Sequence, residues 1–595
     1  MSTDPRFTVS LPDPTTHRFL VRLELPDSAT ASQTFRLPAW IRGSYLVRDL
    51  ARHVLGVQAW RDETRVEIER LDKSTLRVPA GSGALRLEYA VQAFDESVRK
   101  AFLDARRGFF NGSSLFYCPD GFRDSRFELT LERPTGAAYR EWRVATSMPA
   151  VEIDAQGFGR YAAEDYEALI DHPVELGNFR RADFVADEVP HALIVSGRVD
   201  ADLARVTADL SKICATQRAL FGGEPALPQY LFLTNVVTAG YGGLEHRAST
   251  ALIASRADFP KPGQVAAHKE YRNFLGLCSH EYFHLWNVKR ITAQAFQSSD
   301  LAREAYTRDL WHYEGVTSYY DDLMVLRAGI IDAPTYLDAL AEQSTRLQRS
   351  PARLRQTLSD ASFETWIKYY QPDENSPNAN TNYYVKGALA ALCLDLRLRR
   401  DSKVTLDDVM RRLWERFGRE GLGVPEGGLE TEAAQLSGLE LKPLFDQLLR
   451  STDELPLESA LADFGVKAEL RACTSAIDDG GRTNARNPQP WVGMRLRPGE
   501  TTVMHVLDDG PALAAGLSPG DQLVAIDGLR LSGPQWSRRL ESLVPGTAIP
   551  VHYFRGDELF STTLTPRSAP LDTWTFTLAE VGGETAERRK RWIGV

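Results

Sequence analysis

Cysteine is scarce. The 595-residue chain has 5 cysteines, at Cys118, Cys214, Cys278, Cys393 and Cys473. They are odd in number, far apart, and form no CxxC pair. That excludes a disulfide frame and a cysteine zinc site, and predicts reduced thiols. An excess of positive charge is also missing. Lys and Arg number 70 against 80 Asp and Glu, a formal net charge of −10. Such a balance gives no sequence-independent reason to bind nucleic acid or an anionic membrane. Long apolar runs are absent too. The longest uncharged stretch of note, 226–244, carries Pro228, Gln229, Asn235 and several glycines. It makes a poor membrane helix. Residues 1–20 include Asp4, Pro5 and Arg6 and no apolar core. No secretory signal is expected there, and the chain reads as cytoplasmic.

What is present is an ordinary globular composition, with 43% hydrophobic and 25% charged residues. At roughly 150 residues per domain, the length predicts about three or four domains. Residues 1–170 hold alternating apolar and polar segments at 19–25, 85–91 and 127–131, separated by Gly, Pro and Asp. They read as an N-terminal β-sandwich-like domain. Within it, Pro38-Ala39-Trp40-Ile41-Arg42-Gly43-Ser44-Tyr45 reads as a tight structural turn. Residues 171–455 change texture. Strands at 191–196 and 229–235 flank a helix at 201–220. Helical patterns follow at 266–289, 306–327, 333–349 and 385–398, giving α+β organisation with a helical second half. The turn-rich loop 371–380 reads as mobile. Residues 456–490 read as a linker, polar and rich in Gly and Asn toward their end. Residues 491–570 form a small domain of short strands with one helix near 535–543. Residues 571–595 form a tail whose run Glu587-Arg588-Arg589-Lys590-Arg591 reads as a solvated charge run. The fold class is therefore multidomain α+β.

The chemistry concentrates at His280-Glu281-Tyr282-Phe283-His284. Residues four apart share a helix face, so the two imidazoles can reach one ion. Glu281 stands one step round, near enough to touch an ion-bound water without ligating. Neutral imidazole suits zinc, and a catalytic zinc takes three protein ligands and keeps one position for water. The third ligand has two candidates, Glu314 and His312. Glu314 lies on the apolar pattern Leu310, Tyr313, Val316, Thr317, Tyr320, where a carboxylate needs a partner. His312 sits about 200° round an α-helix from it, so both cannot face one ion.

These residues resemble a known group. His280-Glu281-x-x-His284 with Trp286, and Trp311-x-x-Glu314-Gly315-x-Thr317-x-Tyr319, resemble the gluzincin metallopeptidases. More narrowly, His284-Leu285-Trp286-Asn287-Val288-Lys289-Arg290 and Gly242-Gly243-Leu244-Glu245-His246 resemble the glycyl aminopeptidase family. The turn from Pro38 to Tyr45, continuing through Leu46-Val47-Arg48-Asp49, is similar to that family's N-terminal domain. The resemblance implies a thermolysin-like α+β catalytic domain at 171–455. It favours Glu314 as the third ligand of a single zinc. Gly242-Gly243-Leu244-Glu245-His246 takes the place of the Gly-x-Met-Glu-Asn strand of related aminopeptidases. Glu245 would thus accept the substrate's α-ammonium, with Gly242, Gly243 and His246 lining the cleft. His246 departs from the Asn of the larger relatives, and Leu244 from the Met. Tyr384-Val385-Lys386-Gly387 resembles the segment whose tyrosine steadies the tetrahedral intermediate. Its spacing to Lys386-Gly387 selects Tyr384 over Tyr383. Trp491-Val492-Gly493-Met494, Gly510-Pro511-Ala512 and the segment from Ala515 to Gly528 resemble a bacterial-type PDZ domain. Val492, Gly493 and Met494 would be its carboxylate-binding loop.

The expectation is a zinc aminopeptidase with Glu281 as general base, acting on peptides with a free amino terminus. A preference for Gly or Ala first residues is implied by the resemblance alone. The PDZ-like domain would take a peptide C-terminus. Two rival readings stand beside it. One is a zinc endopeptidase of the same fold. The other is a PDZ-bearing peptide-binding protein with an idle peptidase domain.

Overall fold

Alternating apolar and polar residues build the first part of the chain into sheets. The computed structural model describes residues 4–25, 31–264, 267–297, 299–485 and 487–595. Residues 1–3, Ala266 at the start of one expected helix, and Arg486 in the expected linker lie outside these. The chain forms two units, Met1–Tyr306 with Trp414–Val424, and Thr307–Leu413 with Pro425–Val595.

The first unit opens with an 8-stranded sheet, in the order Ala150–Ile153, Gly159–Ala163, Phe127–Leu131, Arg6–Ser10, Arg18–Leu25, Leu85–Gln92, Val54–Arg61, Thr64–Val66. Its central strand Arg18–Leu25 buries every second residue, the pattern of a sheet with one face on a core. Phe7, Phe19, Phe35, Leu87 and Phe110 are fully buried. Two 4-stranded sheets complete this region. One of them pairs Arg107–Phe110 with Val174–Gly177, so its last strand lies beyond residue 170.

A 5-stranded sheet follows, ordered Arg180–Ala186, Val189–Ser196, Tyr230–Val237, Ser249–Ser255, Gly242–Glu245. Its middle strands are parallel and its two outer strands antiparallel to their neighbours. The helix Leu203–Leu220 connects the first parallel pair, as a parallel pair requires. Asp202 caps it by accepting from Arg205 N at 3.1 Å. The helix Lys269–Phe283 is tied to this layer by Gln217, whose amide donates to Ser279 O and Oγ at 2.9 Å each.

The second unit is mostly helical. A π-helix, Trp311–Val316, runs into the α-helix Thr317–Arg327, followed by Ala333–Gln348 and Tyr383–Asp401. The α-helical pattern expected across 306–327 therefore begins with a wider turn. Asn382 caps the helix Tyr383–Asp401, accepting from Tyr384 N at 3.0 Å and Val385 N at 3.1 Å. Gly315 and Gly387 explain how closely these helices approach. A Cβ on Gly315 would stand 2.5 Å from the Gly387 Cα, so any side chain there would force the helices apart.

The segments 456–490 and 571–595, expected as linker and tail, contain regular structure. They contribute the helix Leu457–Ala462, the paired strands Val466–Ala472 and Leu571–Leu578, and the helix Gly583–Ile593. Burial of Val466, Phe576, Trp592 and Ile593 supplies the apolar stabilisation that a solvated linker would lack. Between the paired strands lies a module with its own core, including Val492, Met494, Val503, Ile526 and Val551. Its 4-stranded sheet runs Leu529–Arg530, Gln522–Ile526, Ile549–Arg555, Glu558–Leu564. Its helix Trp536–Glu541 lies where one was expected. Among the described residues no helix is long and apolar enough to cross a membrane.

Candidate active site

The helix Lys269–Phe283 is buried along nearly its whole length. It ends at His284, its C-cap, rather than continuing to residue 289. The early exit has a use. The chain turns so that the Asn287 carbonyl comes back to His284 Nδ1 at 2.6 Å. With Nδ1–H donating there, Nε2 is the nitrogen that carries the lone pair. That Nε2 lies 3.0 Å from His280 Nε2. Trp286 anchors the exit, stacking on Phe221 at 4.5 Å and donating to Glu224 O at 2.7 Å. Tyr282 pins the other side of the helix to the sheet through its hydroxyl, 3.0 Å from His191 Nε2. Cys278 is buried, and burial raises its thiol pKa well above the ordinary value. It is a packing thiol.

The edge strand Gly242–Glu245 runs beside this helix. A Cβ on Gly243 would stand 2.1 Å from the Glu281 Oε1. The absence of a side chain is therefore required by Glu281 itself. Candidate ligand atoms of Glu245, Glu281 and His284 all lie within 4.8 Å of one another. All three residues are buried, and Glu245 Oε1 has no hydrogen-bond partner among the described residues. A buried carboxylate oxygen without a partner is costly unless a ligand completes it.

The turn from Pro38 to Tyr45 reaches the same place. Gly43 has φ +90°, and a Cβ on it would stand 2.1 Å from the Glu245 Oε1. This turn, expected to be structural only, backs the Glu245 carboxylate. Arg99 ties it to the edge strand, donating to Ser44 Oγ at 2.9 Å and Gly243 O at 3.3 Å. Leu244 packs with Ile41, Val98 and Phe109. Sequence reading missed Gly43 and Arg99 as site residues, because some two hundred residues separate Gly43 from Glu245.

His246 faces a different group. Its Nδ1 lies 3.3 Å from Asp171 Oδ1, to which Lys289 Nζ donates at 2.6 Å. Arg247 N donates to Asp171 Oδ2 at 2.8 Å. Burial alone would raise the Asp171 pKa, but Lys289 and then His246 hold it far below the usual carboxylate range. His246 and Lys289 were both visible as motif residues; their shared partner Asp171 was not.

In the second unit, Glu314 is 2% exposed within the π-helix. The π geometry changes the angular relation to His312 expected for an α-helix. His312 stacks on Tyr313 at 4.4 Å, and burial lowers its pKa to about 3. Among the described residues no group of three or more candidate metal ligands includes His312. Thr317 Oγ1 donates to Tyr313 O at 2.7 Å. Tyr383 is fully buried, whereas Tyr384 is partly exposed. The Tyr384 hydroxyl lies 2.9 Å from that of Tyr370. Burial, then the nearby Glu314 carboxylate, push its pKa well above the ordinary value. The phenol therefore stays protonated and able to donate.

In the C-terminal module, Val492 and Met494 point into the core. Val492 O accepts from Ala512 N at 2.9 Å and Gly493 O from Leu507 N at 2.8 Å. Gly493 has φ +67° and faces Gly510, whose Cα a Cβ would approach to 2.7 Å.

Comparison with known proteins gives the family. The N-terminal domain model of the peptidase M61 family matches residues 6–178, and the M61 glycyl aminopeptidase model matches residues 273–390. The crystal structure of an aminopeptidase N family protein from Idiomarina loihiensis is 36% identical, with a TM-score of 0.94. The match covers 99% of this chain and 100% of that one. An M1 zinc metallopeptidase from Deinococcus radiodurans is 16% identical with a TM-score of 0.48, covering 76% of this chain and 94% of that one. No curated protein matches the sequence. With both family models matched and a full-length relative at this identity, the chain belongs to the peptidase M61 family, that of the glycyl aminopeptidases, and is a metallopeptidase.

Proposed function

We propose that the chain is a zinc aminopeptidase that removes the first residue from peptides with a free amino terminus. His280, His284 and Glu314 hold a single zinc. The observation that carries this reading is the histidine pair. Two nitrogen ligands of a tetrahedral zinc stand about 3.3 Å apart at bond lengths of ~2.0–2.1 Å, and the two Nε2 atoms are 3.0 Å apart. The Asn287 carbonyl on His284 Nδ1 is the outer partner that fixes a ligating tautomer. A His, His, Glu donor set is one that catalytic zinc accepts. An ion bound there would supply Lewis-acid polarisation of the scissile carbonyl and a water with its pKa lowered to about 7.

The remaining steps belong to the chain. Glu281 takes the proton of the attacking water on its carboxylate and passes it to the leaving amine. Glu245 receives the α-ammonium, whose pKa is about 7.7–8.0. Its Oε1, without a hydrogen-bond partner among the described residues, supports that role. Gly242 and Gly243 leave the strand edge bare for an extended substrate. His246 lines the same strand from its Asp171 side. Tyr384 donates to the developing oxyanion, a donor worth about 2.7–4 kcal/mol where one has been removed. A preference for Gly follows the family's name, and Ala is added as the next smallest first residue. For the C-terminal module we read a PDZ-type domain. Among the described residues its strand Met494–Leu496 pairs only with Val503–Val506. One edge is left for a peptide whose C-terminus meets Val492, Gly493 and Met494.

The test compares free and N-acetylated forms of one short alanyl or glycyl peptide, with zinc content measured on the same sample. The expected result is one zinc per chain and cleavage of the free form alone. Equal rates on both forms would instead support an endopeptidase. A zinc-loaded chain that cleaves neither would support an idle domain.

A further inference from the structure

The loop 371–382 is bounded at its base by two phenols and held at its tip by the C-terminal module. Tyr370 precedes the loop and Tyr384 follows it, and their hydroxyls are 2.9 Å apart. At the tip, Asn378 lies in the short helix Ser376–Ala379 and is 2% exposed although the segment is polar. Its amide donates to Val506 O at 2.9 Å and to Asn375 Oδ1 at 3.0 Å. Its Oδ1 accepts from Asp508 N at 3.0 Å. The side chain thus bonds the module's strand Val503–Val506 and Asp508, two residues beyond its end, much as a further strand residue would. Two more contacts flank it. His505 Nδ1 lies 3.0 Å from Glu374 O, and Asp508 pairs with Arg355, which also donates to Asn378 O at 3.4 Å. The loop, read from its turn residues as mobile, is pinned.

The pin leads back to Tyr384. Ser350 Oγ donates to Pro377 O at 3.0 Å, and Thr381 N to Gln356 Oε1 at 2.8 Å. Asn382 then caps the helix that carries Tyr384. Three residues lie between Asn378 and that cap, so displacement of the tip is transmitted through a short, hydrogen-bonded segment. A buried amide that commits one donor and its acceptor to another module gives little to the core of its own segment. Its bonds serve to fix position.

We propose that Asn378 is a positioning residue for hydrolysis, through which the C-terminal module braces the Tyr370–Tyr384 pair. The module is then part of the peptidase's working geometry as well as a binding domain. The proposal rests on the reading of Tyr384 as an oxyanion donor. Misplacing such a donor by a fraction of an ångström weakens it steeply, since the bond must form at about 2.7–3.1 Å.

The experiment uses the full-length, zinc-loaded chain and four variants: Asn378→Ala, Asn378→Asp, Tyr384→Phe and the double variant Asn378→Ala with Tyr384→Phe. Asn378→Asp keeps the shape but cannot donate to Val506 O, which separates loss of the bond from loss of volume. Both Asn378 variants are expected to lower kcat roughly tenfold, with KM and zinc content unchanged. Hydrogen exchange in residues 371–384 should quicken in both. In the Tyr384→Phe background, Asn378→Ala should lower kcat no further. An equal loss in both backgrounds, or unchanged kcat and exchange in the single variants, would overturn the brace. Should Tyr384→Phe itself keep full kcat, the oxyanion reading fails. The exchange rates still decide whether Asn378 pins the loop.

Discussion

Gly43 and Glu245 are in contact across some two hundred residues of sequence, so close that a methyl group on Gly43 would stand 2.1 Å from the carboxylate oxygen Oε1. Backbone and carboxylate share the space that any other residue would fill. Gly43→Ala should therefore displace the group assigned to the substrate amine. The expected result is a KM for free-amine peptides raised roughly tenfold or more, with zinc content unchanged. The φ of +90° adds a folding cost of about 1–2 kcal/mol for a residue with a side chain. Steady-state kinetics and urea unfolding of the same variant separate the two effects.

Gly243 stands in the same relation to Glu281. Gly243→Ala should push Glu281, the proposed general base, out of line. An error of about 1 Å in a catalytic group can cost on the order of 100-fold. The expected outcome is a fall of that size in kcat, with zinc content unchanged. A variant with normal kcat would show that the strand gives way instead of Glu281.

Asp171 holds Lys289 and His246 in a buried cluster. Asp171→Asn leaves Lys289, 7% exposed, without its counter-charge. Breaking such a pair from one side costs about 3–5 kcal/mol. The pKa of Asp171 is depressed by Lys289 and His246. Its stabilisation is therefore complete above the unfolded value of about 3.9 and is lost as pH falls below it. The stability gap between wild type and variant, measured by urea unfolding, should be full at pH 7 and shrink below about pH 4.

His191 gives a second pH window. Burial lowers its pKa to about 4, against about 6.5 in an unfolded chain. Between these values the unfolded state binds the proton and the folded state does not. Stability is thus full above about pH 6.5 and declines as pH falls toward about 4, by up to ~3 kcal/mol. His191→Gln should flatten that part of the curve while losing the bond to Tyr282. His172, lowered by burial to about 4 as well, leaves a residual slope.

Local periodicity made part of this visible in the sequence. His280 and His284 share one helical turn, so their spacing alone brought the two imidazoles together. Strands such as Phe127–Leu131 alternate clearly because one sheet face is buried. What depends on distant partners was hidden. Gly43 looked like a turn glycine because nothing near it in sequence points to Glu245. The strands Val466–Ala472 and Leu571–Leu578 stabilise each other across a hundred residues, and neither stretch alone has enough apolar surface to stand out. The wide turn Trp311–Val316 has the same apolar spacing as an α-helix, and only its hydrogen bonds reveal it.

The most direct measurement is hydrolysis of a glycyl or alanyl chromogenic substrate by Glu281→Gln carrying one zinc per chain. Glutamine keeps the shape of the side chain but cannot take up the proton from water. A fully zinc-loaded variant with its peptidase rate lowered by at least about 100-fold is the predicted result. A zinc-loaded variant that hydrolyses the substrate at the wild-type rate would contradict the assignment of Glu281 as the base.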